Sequence, residues 1–173
     1  MEKDIEKNIF YKQQQNIFQN HLIERYNKTL LSIGIGYPVN DKNNTITKNI
    51  ITCIERVFND MVKESMFMKI FRITFEGPVI TILLDLDGYK VKEICSQIEH
   101  KHILGGIVDL EVYDANGNLV ASKDIKYGDK KCIICGEKDS ICKSKKKHNQ
   151  SELSTCITNI YIKYTKSHYG KEY

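Results

Sequence analysis

The chain has 173 residues, 41% hydrophobic and 28% charged, with a formal net charge of +4. That is the make-up of a soluble globular protein with room for one sizeable core, and a single domain over 1–173 is expected. The start, Met1-Glu2-Lys3-Asp4, lacks the apolar run of a signal peptide, and the longest apolar stretch, Val79 to Leu84, is far too short to span a bilayer. A cytoplasmic protein with no membrane partner is therefore expected.

Residues from about Asp4 to Tyr26 read as an amphipathic helix, with Ile5, Ile9, Ile17, Leu22 and Tyr26 near a helical period and a polar interruption at Lys12–Gln15. Leu30–Ile35 reads as a strand, and the turn formers of 36–44 as a loop. Thr45 is expected to cap a second helix that buries Ile50, Ile54, Val57, Phe58, Met61 and Val62. Strands at Ile70–Phe75 and Val79–Leu84 follow, split by a turn at Gly77-Pro78. A third helix, Tyr89 to His100, precedes a strand at Ile107–Tyr113, joined through Asn116-Gly117 to a hairpin partner at Leu119–Ser122. A last helix runs from about Ser151 to Lys166. The order strand, helix, strand, strand, helix, strand predicts an α+β fold: an antiparallel sheet with a split βαβ (ferredoxin-like) core and helices on one face.

The most loaded stretch runs from His100 to Val112. Asp109 and Glu111 are two apart on a strand and so share a face, while Val108, Leu110 and Val112 point to the core. Paired carboxylates in a cleft can hold a magnesium ion that also binds substrate phosphates. A strand that turns its polar face to solvent shows the same alternation. Gly105 and Gly106 leave room for a ligand near the backbone. His100 and His102 suit a general base or a phosphate contact, or simply the negative end of a helix dipole.

Six cysteines in a chain of this kind are free thiols or metal ligands rather than disulfides. Cys132 and Cys135 form a CxxC knuckle, followed by Cys142 and His148 within a segment at 130–148. Thiolates and imidazole are the donors zinc prefers, so a structural zinc site is one reading and cysteines filling a core the other. Cys53, Cys95 and Cys156 fall within predicted helices and read as core filler. Lysines at 130, 131, 138, 143, 145, 146 and 147 surround the knuckle, where they would draw phosphates or an acidic protein surface, or form a solvated loop. Without interleaved aromatics, no nucleic-acid partner is expected.

The run "IEHKHILGGIVDLEVYDANGNLVASKD", then "KKCIICGEKDSICKSKKKHNQSEL", resembles the citrate lyase holo-acyl-carrier-protein synthase family (CitX). That family shows a Glu-His-x-His-Pro-Leu-Gly-Arg segment, an Asp-x-Asp pair and a basic CxxC region ending in Cys-x-Arg and His. Glu99, His100, His102, Leu104 and Gly105 match the first segment, with Ile103 and Gly106 in place of its proline and arginine. Asp109 matches the first aspartate and Glu111 stands for the second; Cys132, Cys135, Cys142 and His148 match the cysteine–histidine set. Lys123, Lys131 and Lys143 or Lys145 replace arginines. The resemblance implies a nucleotidyltransferase that moves phosphoribosyl-dephospho-CoA from triphosphoribosyl-dephospho-CoA onto a serine of the citrate lyase acyl carrier subunit and releases diphosphate. It implies Asp109 and Glu111 on magnesium, His100 or His102 on the hydroxyl proton or a phosphate, and Lys92, Gly105, Gly106, Lys123, Lys131, Lys143 and Lys145 at the substrate. Two other readings stay open: the equivalent transferase for the malonate decarboxylase carrier, and a non-catalytic zinc-stabilised module that binds an acidic protein or nucleic acid.

Overall fold

A computed structural model describes residues 2–38, 41–121 and 127–169. The expectations at Val39, Asn40, Ser122 and Lys123 lie outside the described residues. The chain opens with α1 (Glu2–Tyr26) and β1 (Thr29–Ile35), followed by α2 (Thr45–Val62). A hairpin of β2 (Met66–Thr74) and β3 (Gly77–Leu84) leads into α3 (Gly88–Lys101) and β4 (Val108–Tyr113). A short α4 (Asp139–Ser144) and a long α5 (Gln150–Tyr169) complete it.

Local chemistry sets the helix starts. Asn44, not Thr45, caps α2: its side chain accepts from the Thr47 N–H at 2.9 Å. Asp87 caps α3 by accepting from the N–H groups of Tyr89 and Lys90, which accounts for one of the carboxylates just after β3. Asn116-Gly117 does make a turn, but its partner strand shrinks to one bridge between Tyr113 and Leu119.

The sheet order is β2-β3-β1-β4, and every neighbouring pair is antiparallel. β1 and β2 are thus parallel with β3 between them, and β3 and β4 are parallel with β1 between them. Along β1, β3 and β4 the side chains alternate between two faces. Leu31, Ile33, Ile80, Ile82, Leu84, Val108, Leu110 and Val112 meet Ile50, Ile54, Phe58, Val91, Ile98, Leu153 and Ile157 in the main core. Fully burying one such side chain contributes roughly 1.5–3 kcal/mol before ordering costs, so this layer of α2, α3 and α5 dominates stability.

The opposite face is covered as well, which corrects the expectation of helices on one face. Leu30 and Leu83 need shelter from water, and the C-terminal half of α1 supplies it with Leu22 and Ile23, flanked by Phe18 and Tyr26. Before Phe18 the described part of α1 buries much less: Ile9, Phe10, Tyr11 and Ile17 are exposed. It extends past the apolar patch and over the polar end of the sheet.

Candidate functional site

Under that overhang lies a cleft of about 740 Å³, bordered by α1, the polar face of the sheet and the loop after β1. Asp109 and Glu111 stand on its floor. They face this side because the register that buries Val108, Leu110 and Val112 turns the residues between them outward. Lys12 and Gln15 of α1, Lys42 of the loop and Arg72 of β2 line the rest. Tyr11 stacks on Phe75 at 4.8 Å and closes one side.

The two carboxylates differ in their company. Asp109 lies 3.1 Å from the Lys130 ammonium and 3.4 Å from that of Lys143. Burial alone would raise its carboxyl, but these two cations outweigh burial and hold it below the usual carboxylate range. Gly36 makes room for the Asp109 side chain, since a Cβ there would sit 2.7 Å from Oδ1. Glu111 has only the Tyr113 hydroxyl, at 3.4 Å. Burial within the cleft and the Asp109 charge push its carboxyl upward. Glu111 is thus the carboxylate of the pair with no close cation among the described residues.

The lysines on Asp109 come from the cysteine-rich segment. Lys143 also pairs with the buried Asp139 at 2.7 Å, and Asp139 accepts a hydrogen bond from the Tyr37 hydroxyl at 2.8 Å. Lys130 donates to the Val108 carbonyl, on the outer side of β4. The rest of that edge is satisfied in the same way. Lys92 donates to the Leu110 carbonyl at 2.8 Å, Glu99 accepts from the Leu110 N–H at 3.4 Å, and the Val120 N–H reaches the Val112 carbonyl at 2.8 Å.

Four donors converge beyond that edge. The ligand atoms of Cys132, Cys135, Cys142 and His148 lie within 4.8 Å of one another. Cys135 Sγ is 3.4 Å from Cys142 Sγ and 3.4 Å from His148 Nε2. A tetrahedral ion with bonds of about 2.3 Å to sulfur spaces its sulfurs about 3.8 Å apart. The set therefore fits a metal ion such as zinc. The Glu137 N–H and His148 draw the Cys135 thiol down to about 7, toward the thiolate that binds metal.

Several expected site residues stand elsewhere. His100 is exposed, stacks on Tyr127 at 5.6 Å and bonds the Ser96 carbonyl at 2.8 Å. His102 packs 5.5 Å from Tyr164 and accepts from the Leu104 N–H at 3.2 Å; burial and His168 lower its basicity. Neither borders the cleft, because both sit at the far end of α3. Lys92 is buried on the edge of β4 rather than open to a substrate. Gly105 is buried against the last turn of α3, while Gly106 has only the Ile133 side chain, 3.2 Å away, over it. Lys131 and Lys145 are exposed on the knuckle. The sequence reading missed Lys12, Lys42 and Arg72 in the cleft and the Tyr37–Asp139 pair behind it. The one available signal was Arg72, one of three arginines in a chain otherwise given over to lysine.

A cleft lined by carboxylates and cations, with a metal-type Cys/His cluster nearby, is a polar site suited to a charged ligand, and the family the chain matches is one of transferases. A family model described as apo-citrate lyase phosphoribosyl-dephospho-CoA transferase (CitX) matches residues 4–164. The chain belongs to this family. It is 26% identical over 152 residues to protein CitXG of Haemophilus influenzae, covering 86% of this chain and 33% of that one. It is 19% identical over 151 residues to a probable apo-citrate lyase phosphoribosyl-dephospho-CoA transferase of Vibrio cholerae, covering 85% of each. An Escherichia coli transferase of the same description is 20% identical over 142 residues, covering 78% of this chain and 75% of that one. The chain thus spans about a third of the Haemophilus protein but most of the other two. Among the described residues no helix is long and apolar enough to cross a membrane.

Proposed function

We propose that this chain transfers phosphoribosyl-dephospho-CoA from triphosphoribosyl-dephospho-CoA to a serine of the citrate lyase acyl carrier subunit. The serine oxygen bonds to the innermost phosphorus, the bond from that phosphorus to the bridging oxygen breaks, and diphosphate leaves with the electron pair. The hydroxyl proton is lost to water. Family membership supplies the reaction class, and the observation that supports this cleft as the place is that Asp109 and Glu111 share it with Lys12, Lys42 and Arg72. Such transfers depend on positioning and on neutralising charge as it develops.

In this reading Asp109 and Glu111 would hold magnesium, which supplies charge neutralisation on the transferring phosphate. Lys143 and Lys130 orient Asp109. The exposed Lys131 and Lys145 face incoming acidic carrier rather than the cleft. The test is incubation of apo carrier with triphosphoribosyl-dephospho-CoA and magnesium, read by intact mass and diphosphate release. We expect one prosthetic group per carrier. Modification of a malonate decarboxylase carrier in its place would move the chain to the sister reaction.

The Cys132, Cys135, Cys142 and His148 cluster holds a structural zinc in this reading, supported by its converging donors. Protein purified without chelator should contain about one zinc per chain, and Cys142→Ser should lose it and melt at lower temperature. Metal-free protein that melts unchanged after chelation would leave the cluster as packed thiols.

A further inference from the structure

The Asp109–Glu111 pair accounts for two carboxylates of the cleft, and the cations that share it have chemistry of their own. Lys12, Lys42 and Arg72 come from α1, the loop after β1 and β2, and all three border the same space. Among the described residues none of them is in an ion pair, whereas Lys130 and Lys143, next to Asp109, both are. Glu76 borders the cleft with them, and its charge and that of Asp109 both reach Lys42. Arg72 is held in place rather than loose. Its guanidinium lies 3.5 Å over the Phe18 ring, one NH2 donates to the Gln15 side-chain carbonyl, and Nε is buried without a partner. A guanidinium fixed by a ring and an amide, with further donors unused, is built to be met by an anion.

We infer that Lys12, Lys42 and Arg72 form a polyphosphate subsite that takes a diphosphate group. Three cations from three elements match the several charges of diphosphate better than the fewer charges of a single phosphate. Lys42 fits this role: burial, with some help from Lys12, holds its ammonium below its usual value even though the Glu76 and Asp109 charges pull the other way. The inference rests on the transferase reading for its meaning, since the subsite would receive the leaving diphosphate, but binding can be measured without transfer.

The probe is inorganic diphosphate, titrated calorimetrically into the full chain at low salt without carrier or nucleotide. We expect saturable binding, at least tenfold tighter than inorganic phosphate and weakening with added salt. Lys42→Gln and Arg72→Gln should each weaken it at least tenfold, Lys12→Gln less, and Lys166→Gln, exposed on α5, not at all. Thermal unfolding reports whether each variant folds. If Arg72→Gln does not, because Phe18 and Gln15 lose their anchor, Lys42→Gln and Lys12→Gln carry the test. Diphosphate binding that survives in both lysine variants overturns the subsite, even if the protein transfers well. Diphosphate binding lost in those variants upholds it, even if no carrier is modified.

Discussion

Replacing Asp109 by asparagine should lower transfer by at least about a hundredfold while leaving the protein folded, because one preorganised electrostatic contact on a transferring phosphate is worth that much. The comparison with Glu111→Gln sharpens the expectation. Asp109 is depressed in the folded state, so its charge stabilises the fold above the ordinary carboxylate value, and that gain fades as pH falls through the lowered one. Asp109→Asn should therefore melt somewhat lower at neutral pH and approach the unaltered protein in acid. Glu111 is raised, so its ionised form costs stability once pH exceeds the raised value. Glu111→Gln should thus melt at or above the unaltered protein at neutral pH yet transfer poorly. Melting and transfer curves for the three proteins check both signs. Transfer by Asp109→Asn at the unaltered rate would remove the carboxylates from the mechanism.

The second large effect falls on the fold. A Cβ at Gly105 would lie 2.0 Å from the Ile98 carbonyl oxygen and 2.9 Å from the Glu99 Cα. Both are backbone atoms of α3, so neither can swing aside. Overpacking of this kind costs roughly 1–3 kcal/mol and sometimes more, or several degrees in a domain of this size. Gly105→Ala should melt clearly lower by circular dichroism. Gly106→Ala, facing only the end of the Ile133 side chain, should change little. An unshifted Gly105→Ala would mean that the turn after α3 is free to move.

Long periodic segments were legible in the sequence, and tertiary convergence was not. The apolar stripes of α2 and α3 and the alternation of β4 came through because each follows from the nearest core. The β2–β3 turn was misplaced by two residues: Phe75-Glu76 makes it, and Gly77 and Pro78 already pair with Thr74 and Ile73. Proline is tolerated there because the pairing of β3 with β1 stops at Ile80, so no β1 partner requires the missing N–H. The polar Lys12–Gln15 stretch looked like a flaw in the stripe of α1. It is the part of the helix that spans a polar cleft, where an apolar stripe would be wrong. Asp109 and Glu111 share a face because of strand period alone, whereas Lys42, Arg72 and Asp139 meet their partners only through the sheet order.

The two borders of the sheet have different fates. On β2 no strand among the described residues pairs with the outer side, and Phe67, Phe71 and Ile73 are exposed along it. On β4 the outward carbonyls of Val108, Leu110 and Val112 and the Leu110 N–H are taken, by Lys130, by Lys92 and Glu99, and by Val120. A sheet with one sticky border joins a second copy and stops, whereas one with two can grow into a chain of copies. Lys92, Glu99 and Lys130 therefore act as stoppers against polymerisation.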